Sequence, residues 1–144
     1  MKYIGLDVGD KTIGIALSDE LHLTAQGLKT LQRTNIKNDT DKIIEILEEH
    51  GVGKIIIGIP KNLNGSDSVQ TKKVYKFKQK LENKLKSTGR KEIELISWDE
   101  RFSTVIAEDI LILADLTRKK RKSVIDKMAA VVILQSYLDY LKNT

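Results

Sequence analysis

A chain of 144 residues, 40% hydrophobic and 31% charged, is expected to form one domain, residues 1–144, with a core that needs no staple. It has no cysteine for a disulfide, thiol nucleophile or zinc site, and no run of about 18 apolar residues to span a membrane. Its first residues lack the basic-then-apolar shape of an export signal, so a cytoplasmic location is expected, and a net charge of +5 gathered in clusters suits a polyphosphate partner.

Lys2 to Val8 alternates, with Ile4, Leu6 and Val8 on one side and Tyr3, Gly5 and Asp7 on the other, which predicts a strand. Gly9-Asp10 turns the chain into a second strand, Thr12 to Ser18, so the two form a hairpin. A third extended piece follows from Thr24 to Leu31. Asn38 or Asp39 is expected to cap an amphipathic helix carrying Ile43, Ile44, Ile46 and Leu47, which Gly51 ends. Lys54 to Ile59 is an almost unbroken apolar run, as in a strand buried on both faces.

Pro60 to Ser68 is a loop with the turn signal Asn64-Gly65. It leads to a helix N-terminus, where free N–H groups favour phosphate and Lys61 adds charge, although a plain connection capped by Ser66 or Asp67 fits equally well. The helix, roughly Ser68 to Lys86, is anchored by Val69, Val74, Phe77, Leu81 and Leu85. Nine basic residues stand between Lys72 and Lys91 against one acid, Glu82, so its lysines face water. Glu92 to Ser97 is the last strand. Ser103 starts a helix with Ala107, Ile110, Leu111 and Ala114, and the wholly basic Arg118–Lys122 follows as a loop. A final helix runs from Ser123 to about Leu141. An antiparallel meander followed by strands alternating with helices makes a mixed-sheet α/β domain, its later strands parallel.

Three acids stand out. Asp7 lies in an otherwise apolar strand between Gly5 and Gly9, where a carboxylate is costly unless a cation meets it; an aspartate capping its own turn is the plainer alternative. Asp99-Glu100-Arg101 follows the last strand, at the carboxyl end where ligands of open α/β sheets gather. Adjacent strand residues point to opposite faces, so one of the pair reaches a site. Glu100 is the expected one, with a surface ion pair to Arg101 as the alternative. Asp126 shares a helical stripe with Ala129, Ala130 and Ile133, and small alanines let that helix lie close on the sheet. Its alternative is a capping box with Ser123.

Three inward-facing acids beside basic surfaces suit Mg²⁺ or Mn²⁺, hard cations that activate water and stabilise a leaving oxygen in phosphodiester hydrolysis. Their gathering requires the first strand to be central, between its hairpin partner and Lys54–Ile59, with Glu92–Ser97 next outward and the last helix crossing one face. The candidate phosphate contacts are Lys61, Lys72, Lys73, Lys76, Lys80, Lys84, Arg101, Arg118, Lys119, Lys120 and Arg121.

Together, Gly5-Leu-Asp-Val-Gly-Asp-Lys-Thr-Ile-Gly-Ile-Ala-Leu-Ser-Asp19, the loop Gly58-Ile-Pro with Asn64-Gly65, Asp99-Glu-Arg101 and Asp126-Lys-Met-Ala-Ala130 resemble the YqgF or RuvX family. The resemblance implies an RNase H-like fold, a five-stranded mixed sheet flanked by helices. It also implies a bacterial cytoplasmic nuclease maturing the 5′ end of small-subunit ribosomal RNA, with the acidic site on Asp7, Glu100 and Asp126. Holliday-junction resolution is the alternative substrate reading, and a non-catalytic RNA-binding module is the alternative of another class. An actin-like phosphotransferase opens similarly but needs two such domains. One cut in RNA requires only a monomer, whereas junction resolution favours a two-fold dimer; a monomer or weak dimer is expected.

Overall fold

The computed structural model describes residues 1–100 and 118–143, with side chains from Lys127 onward in the second stretch. Strands β1 (Lys2–Val8) and β2 (Thr12–Ser18) pair antiparallel, Asp7 opposite Gly14 and Val8 opposite Ile13. The Gly9 N–H donates to the Thr12 carbonyl at 2.8 Å and closes the turn. β3 (Ala25–Gln32) continues the meander, with a register shift between Ile15 and Ala16. Helix α1 (Ile36–His50), β4 (Val52–Ile59), α2 (Val69–Ser87), β5 (Glu94–Asp99) and α3 (Arg118–Lys142) follow. The helix expected from Ser103 lies outside the described residues.

The sheet order is β3-β2-β1-β4-β5, and β4 runs parallel to both β1 and β5. The first strand is therefore central, as the gathering of the acids demands. Pleating divides the side chains between two layers. Ile4, Leu6 and Val8 of β1 and Ile55, Ile57 and Ile59 of β4 meet α1 and α2 on one face. Ala16 and Ile56 meet Ala130, Ile133, Leu134 and Tyr137 of α3 on the other. Gly5 sets how closely α3 lies: a Cβ there would come within 2.8 Å of the Leu134 Cβ and 3.0 Å of the Ala130 carbonyl. Among the described residues no helix is long and apolar enough to cross a membrane.

Several local expectations change. Asn35, not Asn38 or Asp39, caps α1, its side chain accepting from the Asn38 N–H at 2.9 Å. Asp39 is instead fully buried, drawn to Arg33 Nε at 3.0 Å and the Thr34 N–H at 3.0 Å. Gly51 ends the helix with φ 62°, the left-handed conformation a glycine adopts at least cost. α2 is capped by Ser68 in a reciprocal box with Thr71, and neither Ser66 nor Asp67 takes that place. Val69 is 73% exposed, so the anchoring stripe is Val74, Phe77, Leu81 and Leu85 with Thr71 above them. β5 starts and ends two residues later than expected, which makes Asp99 its last member. α3 is already helical from Arg118, so Arg118–Lys122 is helix rather than loop. Ser123 then stands inside the helix and cannot be its N-cap.

Candidate active site

Pleating assigns each acid its side. Tyr3, Gly5 and Asp7 alternate with the core-facing residues of β1, so Asp7 looks toward the α3 layer, half-buried. On β5, Ile96 and Trp98 belong to that same layer. The Glu100 N–H donates to the Ile59 carbonyl at 3.1 Å, extending the ladder one residue beyond β5 and carrying Glu100 onto the face of Ile96 and Trp98. Ser97 lies on the other face, where its hydroxyl meets Lys78 Nζ of α2 at 2.8 Å, and exposed Asp99 follows it there by alternation.

The Glu100 carboxylate comes to rest over β4. A Cβ built on Gly58 would stand under 3.0 Å from both Glu100 Oε2 and Ile133 Cδ1, so the acid occupies space that any other residue would fill. Oε2 is buried and, among the described residues, has no hydrogen-bond partner. Burial first, then the negative charges of Asp7 and Asp99, push the Glu100 carboxyl up from the usual carboxylate range to about 8.

An unsatisfied buried carboxylate beside a second one is an unfavourable arrangement for the protein alone and a suitable one for a hard cation. The oxygen donors of Asp7 and Glu100 fit Mg²⁺ or Mn²⁺. Among the described residues no three acids or histidines gather as a metal centre, and the third expected member, Asp126, has its side chain outside them. Its backbone position is informative. Tyr137 lies near Tyr3, and Leu134 and Ala130 lie over Gly5, so α3 descends toward its N-terminus as β1 advances to Asp7. Four helical residues rise about 6 Å, roughly two strand residues, which brings position 126 level with Asp7.

The raised carboxyl has a measurable consequence in metal-free protein. A folded-state value above the unfolded one means that the native state binds more protons between the two. Stability is therefore expected to fall as pH rises from about 4.5 to about 8. Thermal unfolding across that window should show the decline, and Glu100→Gln should flatten it; equal slopes in the two proteins would contradict the burial of this charge.

The basic residues divide. Lys72, Lys76 and Lys80 are exposed along α2 and make no ion pair among the described residues. Lys73 meets Asp10 at 3.3 Å, Lys61 meets Asp67 at 3.4 Å, and Lys84 is held by Asp41 and by the Lys37 carbonyl. Lys84 thus belongs to the joint between α1 and α2. Gln70 reaches the Val8 carbonyl at 3.4 Å, so the basic helix begins at the carboxyl end of β1, the end that carries Asp7. Arg101, and the side chains of Arg118, Lys119, Lys120 and Arg121, lie outside the described residues. The role of Gly58 was not anticipated, although a glycine inside a strand buried on both faces commonly marks a close approach.

The family model described as RuvX, Holliday junction resolvase, matches residues 1–140. A Desulforamulus reducens protein is 51% identical over 139 residues, covering 96% of this chain and 97% of its own, and a Clostridium tetani protein is 50% identical over 143, covering 99% of each. Both bear the name "Putative pre-16S rRNA nuclease". Among solved structures, RuvC of T. thermophilus in complex with a Holliday junction substrate superposes with TM-score 0.63 at 13% identity, covering 100% of this chain and 97% of that one. The Fowlpox virus resolvase with Holliday junction DNA gives 0.59 at 16%, covering 98% and 99%. The chain shares the RNase H-like fold of these resolvases.

Proposed function

The chain belongs to the RuvX family of Holliday junction resolvases, and on that premise we propose that it is a metal-dependent nuclease maturing the 5′ end of pre-16S rRNA in the cytoplasm. It is a hydrolase of phosphodiester bonds, and nucleic acid is its class of partner. The observation that carries the proposal is the buried, unpartnered Glu100 oxygen held beside Asp7 at the carboxyl end of the central strand.

Asp7 and Glu100 would hold the cation, with Asp126 as the third ligand from α3. When bound, a divalent ion lowers the pKa of water and stabilises charge on the leaving oxygen. The chain's own residues do the rest. Asp7 is fixed by its pairing with Gly14 of β2, one residue beyond the last β1–β4 pair, Leu6–Ile57. Ile133 and Gly58 enclose the Glu100 carboxylate and keep it out of bulk water, so its charge acts at low dielectric. Lys72, Lys76 and Lys80, on the layer opposite α3, neutralise phosphates further along the bound strand. A module that only bound RNA would gain nothing from two carboxylates set near phosphate.

Precursor 16S rRNA and a four-way DNA junction, offered side by side with Mg²⁺, with Mn²⁺ and with chelator, test this. Cleavage of the RNA near its 5′ end, lost with chelator, is expected. Cleavage of the junction alone would replace the substrate with branched DNA, which the family's description favours. Reversing Lys72, Lys76 and Lys80 to Glu should weaken binding regardless of sequence. It should also reduce the slope of log affinity against log salt by about 2, at roughly 0.7 per lost contact on a single strand. An unchanged slope would move the phosphate path elsewhere.

A further inference from the structure

Asp7 and Glu100 do not sit on neighbouring strands. β4 lies between β1 and β5, and two strand spacings separate their backbones by about 9.5 Å. For the two carboxylates to share one cation, the side chain from β5 must reach across β4 toward β1. Whatever β4 presents on that face stands in the way. The residue there is Gly58, paired with Trp98 on β5 and one step beyond the Leu6–Ile57 pair with β1. Its missing Cβ is the space that Glu100 Oε2 and the tip of Ile133 occupy.

We propose that Gly58 is a positioning residue of the nuclease centre, its bare backbone serving as the bridge over which Glu100 reaches the cation held by Asp7. This rests on the metal-dependent reading above and deepens it. The same geometry selects the acid at position 100. A glutamate has the reach to cross one strand, and the carboxylate oxygen at the end of that reach is what a side chain at position 58 would obstruct. Gly58 and Glu100 therefore form a matched pair, and Ile133 closes the gap from α3.

Two contacts would meet the new methyl group of Gly58→Ala, one from Glu100 and one from Ile133, and the test separates them. Mn²⁺ binding is measured by titration calorimetry on the protein with a non-cleavable nucleic-acid strand bound, which supplies the phosphate oxygens such sites often need, alongside thermal unfolding. Gly58→Ala is expected to weaken Mn²⁺ binding about tenfold or more, the range for residues that orient a ligand. Adding Ile133→Val removes the Ile133 Cδ1 contact, the closer of its two; it should recover much of the thermal stability and leave Mn²⁺ binding weak. If it restores both, Gly58 is a packing residue and the proposal falls. Shortening the acid gives a second check: Glu100→Asp should cost less affinity in the Gly58→Ala background than in the wild-type protein, and equal costs would overturn the pairing. Wild-type protein and Glu100→Gln in the same titration keep the two levels distinct. If those two bind Mn²⁺ equally, the nuclease centre itself is misplaced. If they differ and Gly58→Ala matches wild type, only the role of Gly58 fails.

Discussion

Asp7→Asn is expected to reduce metal-dependent cleavage by about a thousandfold or more, because metal catalysis supplies several kcal/mol and each 1.36 kcal/mol is about tenfold. Asparagine keeps the shape of aspartate and cannot supply its charge, so a cation loses its anchor on the central strand. Folding should survive. Asp7 contributes one of the negative charges that raise the Glu100 carboxyl, and neutralising it relieves that repulsion. The variant should therefore be at least as stable as wild type in the absence of metal, the pattern of a site strained for function. Nucleic-acid binding should persist through α2. Initial rates under Mg²⁺ and Mn²⁺, with binding and thermal unfolding on the same samples, separate these effects. Full cleavage by Asp7→Asn under both ions would contradict the assignment.

The largest stability effect is expected away from the acids. Asp39 is fully buried and Arg33 is 19% exposed at its side chain, the two joined at 3.0 Å. The guanidinium also donates to the Gly9 carbonyl at 2.8 Å and lies over the Phe77 ring at 5.3 Å from its centroid. One side chain thus ties the β1–β2 turn to α1 and α2. Arg33→Met would keep much of the volume and leave Asp39 buried with the Thr34 N–H as its remaining described partner. Breaking one side of a buried pair costs roughly 3–5 kcal/mol, on the order of 10 °C in a domain of this size. Cleavage should fall as well, because Gly9 closes the turn two residues beyond Asp7. The double variant Arg33→Met with Asp39→Leu should recover most of the stability, since no buried charge then lacks a partner. A thermal shift under about 2 °C for Arg33→Met would show that the pair is solvated.

What could be read in advance was local or periodic. Alternation in β1 separated Asp7 from Ile4, Leu6 and Val8, and Gly51 marked the end of α1. The same rule sent Asp99 and Glu100 to opposite faces, and the requirement that three acids gather called for a central β1, which is where it lies. What escaped depends on residues distant in the chain or on a competing partner. Asp39 has the right chemistry to cap α1, but Arg33 takes its carboxylate and the cap passes to Asn35. Val69 has the spacing of a core residue, yet as the first residue of α2 it is exposed, and Thr71 takes the buried place in that turn. Lys84 counts among the nine basic residues between Lys72 and Lys91 and is spoken for by Asp41 once α1 and α2 pack. The wholly basic Arg118–Lys122 is expected as a loop before a helix starting at Ser123, but α3 is helical through it. Gly58 inside a buried strand signalled a close approach, but not by which residue, because that depends on β5 lying one strand further out.

The most direct test of the nuclease centre is a crystal of the chain bound to a non-cleavable nucleic-acid strand and soaked in Mn²⁺, located by its anomalous scattering. Substrate is included because such sites often need phosphate oxygens to complete them. The expected result is manganese in contact with the Asp7 carboxylate and Glu100 Oε2, with Asp126 closing the site from α3 and the scissile phosphate on the open side. Manganese bound elsewhere, or Asp7 and Glu100 unliganded with substrate in place, would contradict it.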